Sequence, residues 1–367
     1  MKTLYFFLAM LFVTVGAVAQ DGNFIASGKV TDSASGLPLS GASIFARNTT
    51  LGTLTNAEGS FKLGLPRGGY DLVVSYTGYE TEEIHINATS ASDISFALKQ
   101  KDKSLSEFTV SGSNEVADGL EKYGAFFISS FIGSTPNSAQ CKIENPEALQ
   151  FFFRKKTNRL KIKGKEDLRI HNEALGYNIR YQLDSFTHDY TTGITAYTGY
   201  PFFEKLEGTP EQQAKWEANR VVAYNGSRLH FMRAWYDSTL AAEGFAIEWI
   251  DTTKKILTTI PVANPYDSTT YTVIENDDVE IDRPGKWRVI YRKELPDKKF
   301  LATYKLPAYL KSQLTTMEIF NSFVIEQNGY FYDQSDFIDN GYWSWEKVAE
   351  ALALYGIDPE KQNPANV

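Results

Sequence analysis

The chain has 367 residues, 43% of them hydrophobic and 22% charged, with 37 Lys and Arg set against 45 Asp and Glu for a formal charge of −8. That composition excludes wholesale disorder and leaves room for two ordinary domains. An acidic balance with no long Lys/Arg block excludes nucleic acid as a partner, since phosphates call for a concentrated basic face.

The chain opens with MKTLYFFLAMLFVTVGAVAQ. Lys2 precedes an apolar run from Leu4 to Val18, and Ala17 and Ala19 place small residues where a signal peptidase needs them. This reads as a signal peptide over residues 1–19, cleaved between Ala19 and Gln20. The run is too short and too N-terminal for a membrane span, and no later segment offers one, so no transmembrane span is expected in the mature chain. The expected location is the periplasm, the outer-membrane surface or the medium. Cys141 is the single cysteine; it allows no internal disulfide, lies too far on to carry a lipid, and reads as a small buried apolar side chain.

From Phe24 to Lys99 short apolar alternations are separated by turn residues. Phe61, Leu63 and Leu65 form one set, followed by Leu72, Val74 and Tyr76, then Ile84 and Ile86, then Ile94, Phe96 and Leu98. Period two predicts strands with one buried face, and about seven of them in this length predict a Greek-key sandwich. GKVTD (28–32), GLPLSGASI (36–44), GTLTNAEGSFKL (52–63) and GGYDLVVSYTGYE (68–80) together resemble the carboxypeptidase-regulatory-like domain. The resemblance implies a transthyretin-like, immunoglobulin-like fold of exported Bacteroidota proteins and no peptidase activity. LSEFTVSG (105–112) resembles the connector that follows this domain in TonB-dependent receptors, but too few residues remain for a plug and barrel.

Residues 100–122 read as a linker and 123–367 as a second, larger α+β domain rich in sheet. LQFFFRK, RLKIKG, DLRIHN and YNIRYQLDSF suggest a meander. Thr209-Pro210-Glu211-Gln212 has the pattern of a capping box with proline at the first helical position, predicting a helix over 210–222. Further helices are predicted over 227–243, ended by Gly244, and over 344–355. CKIENPEAL (141–149), YTGYPFFEKL (197–206) and NGYWSWEKVAEALALYGIDP (340–359) resemble a less-characterised family of exported Bacteroidota proteins in which the sandwich precedes a β-rich domain. That resemblance implies no activity.

The chemistry-bearing residues form no recognised catalytic pattern. His85, His171, His188 and His230 are the only histidines and none begins an H-E-x-x-H, so no catalytic zinc or other metal site is expected and no cofactor. Ser344 and Lys347 match S-x-x-K without a K-T-G, which reads as a helix cap. Asp278, Glu280 and Asp282 alternate on a predicted strand and read as a solvated face. The strongest polar constellation is on the helix pair: Trp216 and Arg220 on one helix, His230, Arg233 and Asp237 on the next. It could grip a carboxylate or sugar hydroxyls, or tie the helices to the sheet. The aromatics of NGYFY (328–332) and GYWSW (341–345) offer either a sugar platform or core packing. The expected function is that of an exported, non-catalytic envelope protein that binds protein or polysaccharide. The alternatives are a hydrolase around His230 and Arg233, or an accessory subunit docked on a TonB-type receptor or a secretion system.

Overall fold

The computed structural model describes residues 23–101, 114–253, 258–331 and 336–354. The predicted signal peptide with Ala19 and Gln20, and the connector at 105–112, lie outside the described residues. Among the described residues no helix is long and apolar enough to cross a membrane.

The protein is mainly β. Seven strands build the N-terminal sandwich: β1 (Phe24–Asp32), β2 (Ser43–Ala46), β3 (Gly52–Leu54), β4 (Ser60–Leu65), β5 (Tyr70–Ser75), β6 (Glu82–Ile86) and β7 (Ile94–Leu98). One sheet has the order β4-β1-β7 and the other β3-β2-β5-β6. The alternation works as read: Phe61, Leu63, Leu65, Leu72, Val74, Ile86, Ile94, Phe96 and Leu98 are all buried between the sheets. Ile84 breaks the pattern at 43% exposed. At Gly28 a Cβ would run into the Ile94 carbonyl, so the β1–β7 crossing demands glycine.

The chain then enters α1 (Gly119–Phe131), whose first residues lie within the predicted linker. Phe127 and Phe131 anchor it on a six-stranded sheet of β8 (Cys141–Ile143), β9 (Leu149–Arg154), β10 (Arg159–Gly164), β11 (Leu168–Asn172), β12 (Tyr177–Asp189) and β13 (Ile194–Lys205). Next come α2 (Pro210–Tyr224) and α3 (Arg228–Tyr236). The capping box is formed, with Gln212 N donating to Thr209 Oγ1 and Thr209 N to Gln212 Oε1. Thr209→Ala is therefore expected to cost about 1 kcal/mol in urea unfolding.

A five-stranded sheet follows: β14 (Phe245–Asp251), β15 (Thr258–Pro261), β18 (Gly285–Tyr291), β19 (Gln313–Ile319) and β21 (Phe337–Gly341). A smaller sheet is made of β16 (Tyr271–Val273), β17 (Val279–Ile281) and β20 (Phe323–Ile325). Phe231 and Trp235 of α3 fill the core that these strands share. A short α4 (Lys298–Thr303) precedes β19.

Two predicted helices are shorter than their periodicity suggested. α3 stops at Tyr236 rather than 243, because Ser238 adopts φ 57° and Thr239 N turns back to the Ala234 carbonyl. The helix expected over 344–355 is instead one turn, α5 (Tyr342–Trp345), and a 3-10 turn at Val348–Glu350. Its backbone is claimed elsewhere: Ala349 N donates to Ile132 O, Asn172 Nδ2 donates to Ala349 O, and Leu354 N donates to Asn48 O.

The sandwich packs on the second domain. Phe45 and Val73, on its outer face, close over Phe202 and Tyr200. Its 47–51 turn pairs with the edge of β13, with Asn48 N donating to Pro201 O (3.1 Å) and Phe203 N to Thr49 O (2.9 Å). The six-stranded sheet therefore ends, over part of β13, against the sandwich rather than water.

Candidate functional site

The helix-pair residues are placed close in sequence but spend their polar atoms on different neighbours. Trp216 is buried and donates Nε1 to the Glu173 carbonyl at 2.8 Å. Arg220, also buried, donates to the Trp216 carbonyl and to Tyr177 Oη and lies over the Tyr177 ring. His230 accepts from Gly226 N at Nδ1 and faces Glu243 at Nε2, 3.3 Å away. Burial outweighs Glu243 and takes that imidazole down to about 4, so it is neutral and structural at pH 7.

Arg233 donates Nε to Asn328 O and Nη2 to Leu354 O, tying α3 to two distant loops. Asp237 caps the end of α3, and burial raises its carboxyl. Trp216 and Arg220 brace α2 on the six-stranded sheet, whereas His230, Arg233 and Asp237 lie near one another, with the Tyr224 ring between Arg233 and His230. The donors of Trp216, Arg220 and Arg233 are bonded to backbone carbonyls, the role of ties between helix, sheet and loops.

Other candidates are equally absorbed. Tyr330, Phe331, Tyr342, Trp343 and Trp345 are all buried and pack in the core rather than forming a platform; Tyr332 lies outside the described residues. Asp278 is buried while Asp282 is exposed, so the three acids do not form one solvated face. Ser344 Oγ exchanges hydrogen bonds with Gly341 as a cap. His171 bonds Asn178, and His188 bonds Thr195 between the Phe126 and Tyr190 rings. Burial pushes the Cys141 thiol up to about 12, which leaves it unreactive. Among the described residues no three His, Cys, Asp or Glu side chains are grouped to hold a metal.

The polar residues that do converge lie at the domain junction, and sequence reading missed them. His85 of β6 stands between Asp71 of β5 (Nδ1 to Oδ1, 3.5 Å) and Glu326, just after β20 (Nε2 to Oε1, 3.0 Å). The Tyr330 ring stacks on the imidazole at 5.4 Å and 19°. Arg47 reaches both Asp71 and Glu83 at 3.5 Å. Burial works against charge on His85, but its hydrogen bonds to Asp71 and Glu326 prevail and raise it to about 9. The imidazole is thus a cation at neutral pH, clamped between a carboxylate from each domain. Glu326 is 1% exposed, and its Oε2 has no hydrogen-bond partner among the described residues.

Beside this clamp the junction opens into a shallow, water-sized recess, continuous with solvent. The sandwich contributes Ser43, Phe45 and Ser75; the second domain contributes Asp167, Arg180, Gln182, Tyr200 and Phe202. Arg180 lies over the Phe202 ring at 4.7 Å and Arg47 over Tyr200 at 5.4 Å. Gln182 is oriented by its bond to Thr81, and burial raises the Asp167 carboxyl. Aromatic faces flanked by a guanidinium, an amide and a carboxyl suit a small polar group with hydroxyl or amide edges.

Residues 26–110 match the CarboxypepD_reg-like domain family. The chain is 32% identical over 115 residues to TonB-dependent receptor SusC of Bacteroides thetaiotaomicron and 30% identical over 115 residues to TonB-dependent receptor P3 of Formosa agariphila. It is 36% identical over 80 residues to TonB-dependent receptor P39 of the same organism. These stretches cover 31%, 31% and 22% of this chain but 11%, 11% and 8% of the receptors, so the chain spans about a tenth of the relatives it matches. The matched domain is a non-catalytic, immunoglobulin-like sandwich, and these relatives are receptors, not enzymes.

Proposed function

We propose, from the carboxypeptidase-regulatory-like domain at residues 26–110, that the chain is an exported, non-catalytic protein of the cell envelope that acts by binding another envelope protein or a polysaccharide. The observation that carries the reading is the sharing of this domain with receptors named as TonB-dependent. The junction cleft is the contact point we assign to it, because both domains line it and it opens to solvent. Docking as an accessory on a TonB-type receptor is the form of protein binding that the shared domain favours most directly. A hydrolytic centre at His230 and Arg233 is the weaker reading, since burial keeps the imidazole neutral and the guanidinium is bound to two backbone carbonyls.

Affinity capture from envelope extract, run beside a glycan array, tests the reading. The expected result is a partner or glycan retained by the wild-type chain and weakened about tenfold by Tyr200→Ala or Arg180→Ala, the loss of one good polar or stacking contact. Silence in both assays, or turnover of a peptide, ester or glycoside, would reject it.

A further inference from the structure

The β9–β10 hairpin gathers charge that the sequence disperses. Residues 154–165, RKKTNRLKIKGK, hold seven cations and no acid. Leu160 and Ile162 point into the core, so Arg159, Lys161 and Lys163 stand on the opposite, exposed face. The antiparallel register brings Arg154 opposite Arg159 on that same face, and Lys155 and Lys156 form the exposed turn. Partial burial, then Lys163 and Arg154, hold the Lys161 ammonium below its ordinary range, with Asp184 acting the other way. Of the nearby acids, Asp189 is bound to Arg159 at 2.7 Å. A basic face thus stands on a chain with a formal charge of −8.

Next to it lies the tip of the β12–β13 hairpin. Tyr190 N donates to Asn158 O at 3.0 Å, which fixes the two tips side by side. Ile194 is 66% exposed and Tyr190 40% exposed. One end of the sheet therefore offers cations beside the exposed Ile194 and the open side of the Tyr190 ring, whose other side packs on Phe126, Phe153 and His188.

We infer that this paired tip docks on the surface of an anionic phospholipid bilayer, the cations meeting phosphate headgroups while Ile194 and Tyr190 enter the interfacial layer. A soluble polyanion would satisfy the charges and leave Ile194 in water; a bilayer takes both the charges and the apolar side chain.

The test is sedimentation of the full chain with vesicles of phosphatidylglycerol and phosphatidylcholine mixed, against vesicles of phosphatidylcholine alone. Binding to the mixed vesicles is expected, falling as salt rises. Replacing Lys155, Lys156, Lys161 and Lys163 with Gln should lower partitioning by about fivefold per cation removed. Ile194→Ser should lower vesicle binding severalfold and leave binding to inorganic polyphosphate unchanged, with circular dichroism confirming the fold of each variant. Equal binding to both vesicle types, or full binding by the four-Gln variant, would overturn the inference. So would polyphosphate binding accompanied by no effect of Ile194→Ser on vesicles, which would assign the face to a soluble polyanion instead.

Discussion

His85→Ala is expected to lower the unfolding free energy by about 3–5 kcal/mol, because it strips the partner from a carboxylate that has almost no access to water. Glu326 is 1% exposed, and its one hydrogen-bonding oxygen faces His85. With the imidazole gone, Glu326 must either remain buried unpaired or take up a proton. Asp71 loses a hydrogen bond at the same time and keeps only Arg47 close to it among its cations. Urea unfolding measures the cost, and limited proteolysis across the region between the domains reports whether they separate.

The same residue sets a pH dependence whose sign is fixed. The folded His85 titrates at about 9, above its ordinary value of 6.5. Its contribution is therefore complete below about 6.5 and lost as pH rises towards 9. The side chain is 31% exposed, so screening reduces the effect to about 2 kcal/mol across that window. Wild-type stability should fall between pH 6.5 and 9, and His85→Ala should flatten that slope. An unchanged slope would mean that the imidazole is not held as a cation between the two carboxylates.

The sandwich was legible because its information is local. Alternation in β4, β5 and β7 names the buried residues one by one, and the turn at 56–60 names its glycine. What the alternation did not tell was that β5 buries both faces: Val73 points away from the sandwich core and is nevertheless 0% exposed, covered by Phe202. Only the arrival of a second domain explains that. The N-terminus of α2 was equally legible, since a capping box is written within four residues.

Where reading failed, distant partners had overruled local preference. The apolar spacing after Ser344 suits a helix, yet Ala349 and Leu354 are drawn into bonds with Ile132, Asn172 and Asn48. The polar stripe of the helix pair was found, but the donors of Trp216, Arg220 and Arg233 are bonded to backbone carbonyls that no spacing rule foretells. The His85 clamp unites residues of β5, β6 and the loop after β20, and no spacing rule links them. The basic face escaped notice for a different reason. Its cations alternate with core residues, so no block appears until two strands are laid in register. An argument from the absence of a Lys/Arg run holds for a helix or a tail and fails for a hairpin.

Gly69→Ala should be nearly as damaging as loss of His85, at about 3 kcal/mol, for a steric reason that a double-mutant cycle can isolate. The backbone of Gly69, immediately before β5, lies against the Glu326 side chain, and a Cβ added there would occupy the place of the carboxylate. Neither side can readily yield. Glu326 is held by His85, and the loop that carries it is pinned by Asn328 Nδ2, which donates to the Gly69 carbonyl at 2.8 Å. In a Glu326→Ala background the carboxylate is absent and the added methyl has room. There Gly69→Ala should cost less than about 1 kcal/mol, a coupling of about 2 kcal/mol, typical of residues in direct contact. Equal costs in both backgrounds would show that the damage arises in the β5 backbone itself, and the close fit of Gly69 to Glu326 would then play no part in joining the two domains.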